Sequence, residues 1–361
     1  MKRSLALFLA AATLLCLLSG CAAQKSAAAG DTAPFTDDLG RTVQLPKDLT
    51  RIAPSGSVAS MVLATIAPEY MVCIAATPSS AQYKYLPEHL LKLPTTGQMF
   101  GAKSTLNLET LLGCAPQVII DIGDERTDTA ANLDALQRQI GVPVIFLNGD
   151  VSNMEQMYRT LGMILAGKAE RGEALAAFAA ETVAMAAENR EKITDSERLR
   201  VMYTSGAAGL GTNAQGSTQA QVLELVGAEN AIIVPDVSNR GGGNLIDLEQ
   251  LYNFDPDVIV FTAGSLFDRV AADPAWQGLR AIESGQYYEV PAMPYSWLSN
   301  PPSVNMLLGV WWLGNLLYPQ YYSYDMTAKA QEIYQLLWGY ALSDADAAVL
   351  LKNSTLREAG A

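Results

Sequence analysis

Histidine is nearly absent: a single residue, His89, serves a chain of 361 residues. That excludes a multi-histidine metal centre and leaves a Ser-His-Asp system only one candidate base. Charge is sparse at 17 % and strongly one-sided, with a formal net charge of −13. A basic nucleic-acid footprint is therefore missing, as is a polybasic membrane patch. The sequence contains no HExxH, GxSxG, GxxxxGK[ST] or CxxC, so the common hydrolytic, phosphate-loop and dithiol chemistries have no motif to stand on, and no enzyme activity is expected. Long apolar runs are missing beyond the first twenty residues; the nearest, Val304 to Leu317, is too short to span a bilayer and carries two glycines and two asparagines.

What is present is a globular composition, 50 % hydrophobic and long enough for two cores. Residues 1–20 stand apart. Lys2 and Arg3 precede the apolar run Leu5–Leu18, and Leu18-Ser19-Gly20-Cys21 follows. This is a secretory signal pattern. Its end resembles the bacterial lipobox, which implies lipidation at Cys21 and anchoring at an extracytoplasmic membrane face. Residues 21–33 read as a flexible tether. Loss of Lys2 and Arg3 would take the charge to −15, suited to approaching a basic protein surface. Cys16 leaves with the signal. Cys73 and Cys114 remain, able to pair in an oxidising compartment or to stay as buried thiols.

Along the chain, Phe35 to Pro46 predicts a β-hairpin turning near Leu39-Gly40. Arg51-Ile52-Ala53 starts a strand that stops at Pro54-Ser55-Gly56-Ser57, before an apolar helix through Ile66. A strand, a turn of small residues and an uncapped helix start is a ligand-holding arrangement in α/β proteins. A further strand is expected at Met71–Ala75. Strand and helix patterns alternate to about residue 150 and again from Arg200, which predicts parallel sheets with crossover helices. Ser152 to Ile193 lies between these regions, alanine-rich and helical in period. Ser152 and Glu155 suggest a capping box, and Gly167 a break. An internal echo supports a paired design: Leu108-Glu109-Thr110-Leu111 through Pro116-Gln117-Val118-Ile119 recurs 140 positions later as Leu248-Glu249-Gln250-Leu251 through Pro256-Asp257-Val258-Ile259. The expected domains are 34–150 as a first lobe, 151–195 as a connecting helix region and 196–361 as a second lobe with closing helices.

With these features in order, the chain resembles the substrate-binding proteins of ABC importers for ferric siderophores, haem and cobalamin. The resemblance is carried by Asp38-Leu39-Gly40-Arg41-Thr42-Val43, Arg51-Ile52-Ala53-Pro54, Leu108 through Ile119, Val222 through Asn230, Asp255 through Ile259, Trp276 to Tyr288 and Trp297 through Ser303. It implies an α/β fold of two Rossmann-like lobes joined by a single long α-helix, with the ligand cleft between them. It also implies a monomer with no permanent cofactor that delivers a small-molecule ligand, most simply an iron chelate, to a permease and its ATPase. Molybdate or tungstate, a corrinoid, or ligand sensing without transport are alternatives. Glu224 falls where a permease-docking glutamate is expected, whereas the helix Ser57 to Ile66 carries no acid. In such a cleft, aromatics cover flat apolar ligand surface while arginine and helix-start amides hold anionic oxygens. The expected contacts are Ser55, Gly56, Ser57, Tyr83, Tyr85, Thr96 and Gly97 from the first lobe, and Ser205, Arg240, Tyr295 and Trp297 from the second. A bare oxyanion would draw instead on the hydroxyls of Ser55, Ser57, Thr96 and Ser205.

Overall fold

The computed structural model describes residues 31–100, 104–239 and 242–356. The signal segment, Cys21 and Arg240 lie outside the described residues. Among those described, no helix is long and apolar enough to cross a membrane.

The hairpin forms as expected, β1 (Thr32–Thr36) antiparallel to β2 (Thr42–Pro46) with Phe35 opposite Val43. Asp37 organises its turn: Oδ1 accepts the amides of Leu39 and Arg41 at 3.1 and 3.0 Å, and Gly40 supplies the left-handed residue at φ +73°. Arg41 then donates to Asp37 and to the carbonyl of Val144, tying the hairpin to the first sheet.

That sheet is β3 (Ile52–Pro54), β4 (Val118–Gly123) and β5 (Val144–Asn148), all parallel in the order β3-β4-β5. β4 reads Val-Ile-Ile-Asp-Ile-Gly, a β-branched run that suits a strand covered on both faces. The strand expected at Met71–Ala75 is reduced to isolated bridges, Met71 with Ile52 and Ile74 with Thr95. The second sheet runs β11 (Tyr287–Glu289), β10 (Val258–Phe261), β6 (Arg200–Ser205), β7 (Gly211–Thr212), β9 (Asn244–Leu245), with β8 (Glu229–Asn230) also on β6. β11, β10, β6 and β8 pair in parallel; β7 and β9 join antiparallel, so this sheet is mixed.

The 140-residue echo survives in three dimensions. Each copy is a short helix, Leu108–Gly113 or Leu248–Phe254, leading into a strand inside its sheet, β4 or β10. Ala115 and Asp255, a matched pair, both take positive φ, +48° and +36°. Arg51 donates to the Ala115 carbonyl and Arg200 to that of Asp255. The matched side chains Gln117 and Asp257 accept the amides of Arg51 and Arg200 at 3.0 and 2.8 Å.

Between the lobes, Ser152–Ile193 forms two helices, Met154–Ile164 and Ala169–Lys192, separated where Gly167 adopts φ +65°. The break falls at the expected glycine, so the second helix alone is the spine. The capping box of Ser152 and Glu155 does not form. A 3-10 turn over Val151–Asn153 delays the helix start, Glu155 pairs with Arg159 instead, and Gln221 of the second lobe receives the Val151 amide at 3.5 Å. The two helices touch through glycine: a Cβ on Gly172 would lie 2.6 Å from the Gly162 Cα.

The helices Asn305–Leu317 and Met326–Trp338 close the molecule. The second is capped by Asp325, which accepts from Thr327 and Ala328, whereas the first has no side-chain cap. One apolar core runs from Ile52, Met61 and Ile120 of the first lobe, through Leu175 and Phe178 of the spine, to Tyr203 and Val258 of the second lobe and Trp311 and Tyr334 of the closing helices. Each sheet turns its other face to a smaller cluster, Ile119 and Phe146 in one lobe, Ile259 and Phe261 in the other. The period-2 alternation of the strands thus divides one shared interior from two private ones.

Candidate functional site: the cleft between the lobes

Strand direction places the C-terminal ends of β3 and β4 and those of β6 and β10 at the cleft. At its first-lobe side, the chain leaves β3 through Ser55-Gly56-Ser57 into the helix Ser57–Ile66. Gly56 is the N-cap and offers no side-chain cap, so the first-turn amides are not satisfied by a capping side chain. Ser55 is buried and donates its hydroxyl proton to Asp121 of β4. Burial pushes the Asp121 carboxyl up to about 6, against the Ser55 hydrogen bond and the fields of Arg126 and Arg41, which pull it down.

The loop after β11, residues 291–304, bridges the two sides. Pro294 accepts from Gln82 Nε2 of the first lobe at 2.7 Å, and Ser303 Oγ donates to the Val58 carbonyl at 3.1 Å, beside Ser57. Asn305 holds the loop from within by donating to the Ser296 and Pro301 carbonyls. Tyr295 on this loop is partly buried, and desolvation pushes its phenol up to about 12. Among the described residues, its hydroxyl has no hydrogen-bond partner. Ser205, at the end of β6, is partly buried, and its hydroxyl reaches the Gly211 carbonyl at 3.4 Å.

Three of the expected contacts, Tyr85, Trp297 and Thr96, are buried, and Gly97 is half-buried. Tyr85 is 5 % exposed and packs edge-on against Tyr334 and Tyr340 at 5.8 and 5.0 Å. Trp297 is fully buried against Tyr334. Thr96 is buried and turns its hydroxyl back to the Ile74 carbonyl at 3.2 Å. Gly97, at φ +79°, passes so close to Thr105 that a Cβ would sit 2.2 Å from that carbonyl oxygen. The rings of Tyr85 and Trp297 are engaged in packing. Tyr83 is exposed on the short helix Tyr83–Tyr85. Its neighbours cross between the lobes, Lys84 pairing with Asp346 at 2.8 Å.

Sequence reasoning missed the run Asn213 to Gln219. Asn213, Ser217 and Gln219 are buried, and Asn213 Oδ1, Ser217 Oγ and Gln219 Oε1 have no hydrogen-bond partner among the described residues. Thr218, between them, donates to Asp124 across the cleft at 2.8 Å, and Gln221 donates to Asp150 at 3.1 Å. Buried oxygens without partners are costly and call for a donor. The signal in the sequence was the density of amides and hydroxyls before a helix, which an apolar-period reading passes over. Glu224 accepts the Gly216 amide at 2.9 Å and so braces this run. Among the described residues there is no group of three or more His, Cys, Asp or Glu side chains able to hold a bare metal ion.

Two α/β lobes on a helical spine, with a polar cleft between them, define a solute-binding protein fold. The sequence profile described as "Periplasmic binding protein" matches residues 52–294, and the chain belongs to that family. Its members are extracytoplasmic and work with ABC importers. The ABC transporter solute binding protein from Sulfurospirillum deleyianum is similar at a TM-score of 0.80 and 28 % identity, covering 88 % of this chain and 99 % of that one. The molybdate-bound periplasmic protein MolA of Haemophilus influenzae shares the fold at a TM-score of 0.67 and 19 % identity, over 86 % of this chain and 99 % of that one. The Fe(3+)-citrate-binding protein YfmC of Bacillus subtilis is 21 % identical over 192 residues. That match spans 52 % of this chain and 58 % of YfmC, little more than half the length of the relative.

Proposed function

We propose that this chain captures an iron chelate in the cleft between its lobes and delivers it to an ABC-importer permease, held at the membrane by lipid on Cys21. The observation that carries the ligand class is the pairing of an aromatic ring with uncapped helix-start amides: Tyr295 on the bridging loop and the first turn of the helix Ser57–Ile66. A flat organic iron chelate offers apolar surface to the ring and anionic oxygens to the amides, whereas molybdate or tungstate offers the oxygens alone. The partly buried Tyr295 ring suits the apolar body of such a ligand. Ser55, Gly56, Ser57, Ser205 and Tyr295 remain the proposed contacts, with Tyr83 at the rim and Arg240 as the anion-pairing fork. Glu224 is the proposed docking carboxylate of the second lobe.

The test is a ligand panel of ferric citrate, catecholate and hydroxamate iron complexes, haem, a corrinoid and molybdate, read by calorimetry and thermal shift. Ligand at a hundred times its Kd stabilises by about 2.7 kcal/mol, a readily visible rise in Tm. Binding of molybdate with no response to any iron complex would sink the chelate reading. Within the site, Tyr295→Ala is expected to weaken binding of the active chelate about tenfold or more with little change in Tm. Trp297→Ala is expected to do the reverse, costing about 3–5 kcal/mol of stability through the cavity it leaves. Equal effects of the two on affinity would contradict a packing role for Trp297.

A further inference from the structure

Both cysteines of the described body lie in one place. Cys73 follows the Met71 bridge to β3 and is fully buried; Cys114 caps the C-terminus of the helix Leu108–Gly113 and is partly exposed. They share the outer-face cluster of the first lobe with Ile119 and Phe146, and Val72, one residue before Cys73, borders the same surface concavity as Cys114. Cys114 also lines an open surface concavity of about 540 Å3, together with Arg51, Tyr70 and Val72, which gives a thiol reagent a way in. We propose that Cys73 and Cys114 form an intrachain disulfide once the protein is outside the cytoplasm. The family's extracytoplasmic setting favours that state, since adjacent thiols there are normally oxidised.

The bridge would close a loop of about 40 residues, a length at which cross-linking restrains the unfolded chain strongly. That loop carries Gln82 and Lys84, which bond to Pro294 of the bridging loop and to Asp346 of the C-terminal helix Asp344–Leu351. The staple would therefore secure the base of the segment that bridges the lobes.

Formation runs by exchange with a disulfide oxidant, either oxidised glutathione or a dithiol-disulfide oxidoreductase. The accessible Cys114 thiolate attacks one oxidant sulfur, forming a mixed disulfide and releasing one thiolate. Cys73 gives up its proton and attacks the Cys114 sulfur, and the second oxidant thiolate leaves. The pair loses two electrons and two protons, and the oxidant is returned as two thiols. Burial pushes the Cys73 thiol up to about 12, so the second step is expected to be the slower one.

The experiment is non-reducing peptide mapping of the full chain exported from a bacterial host, before and after incubation with oxidised glutathione. A linked Cys73–Cys114 peptide pair is expected, together with a fall in Tm of about 5–8 °C on adding reductant. The Cys73→Ala/Cys114→Ala double variant, compared with and without reductant, should show no such fall; this separates the covalent link from packing losses caused by the substitutions. Alkylation of both thiols after oxidant treatment would overturn the proposal. So would a glutathione adduct confined to Cys114, a bridge between two chains, or an equal response of the double variant to reductant.

Discussion

Asp121→Asn is expected to stabilise the protein by about 2 kcal/mol at pH 7.5 and by nothing at pH 4. The folded state lifts this carboxyl from 3.8 to about 6 by burying it, despite the hydrogen bond from Ser55 and the fields of Arg126 and Arg41. A raised carboxylate pKa means that the folded chain binds the proton more tightly than the unfolded chain does. Stability from this group is therefore fully present below pH 4 and is lost as pH rises through 6. A shift of about two units corresponds to about 3 kcal/mol. Asparagine removes the charge but keeps an oxygen to accept from Ser55; its new amide hydrogens, if left unmet, return about 1 kcal/mol of that gain. Chemical denaturation of both proteins at pH 4 and 7.5 measures the difference. An equal effect at the two values would mean that Asp121 does not carry a buried charge at neutral pH. That the sequence retains an acid costing this much, directly beneath a cleft serine, is consistent with a role in orienting the Ser55 hydroxyl.

Gly172→Ala is expected to destabilise by about 2–4 kcal/mol, against a helix-propensity gain of about 1 kcal/mol. The added Cβ would lie 2.6 Å from Gly162 Cα and 2.8 Å from the Tyr158 carbonyl oxygen. Both neighbours are backbone, so neither can rotate away, and relief requires the helices Met154–Ile164 and Ala169–Lys192 to separate. Thermal and urea unfolding of the variant read the effect. A neutral or stabilised variant would show that the helix pair can slide without loss.

The spine illustrates what the sequence made legible and what it did not. Gly167 marked the break, and the apolar period marked both helices. Gly162 and Gly172 would each weaken a helix in isolation, yet they are the contact surface of the pair. The echo at 140 residues predicted two related lobes, and the matched backbones of Ala115 and Asp255 show how closely they correspond. The cleft was harder. Ser55 and Tyr295 are proposed from the strand end and the resemblance, but Tyr85 and Trp297 carried a similar signal and are buried against Tyr334 of the closing helices. Asp121 stands inside an otherwise apolar strand, and only the approach of β3 gives it a serine partner. The buried oxygens of Asn213, Ser217 and Gln219 left no periodic trace, since polar burial is a property of the assembled molecule.

The interior shared by both lobes, the spine and the closing helices has a thermodynamic meaning. A lobe that unfolded alone would strip the covering from the other, exposing Tyr203 and Val258 on one side or Ile120 and Met61 on the other. Half-folded species therefore lose much of the apolar burial that keeps the remaining half intact, at roughly 25 cal/mol for each Å2 uncovered. The chain has two sheets in its architecture but a single cooperative unit in its stability, and damage in either lobe is borne by the whole.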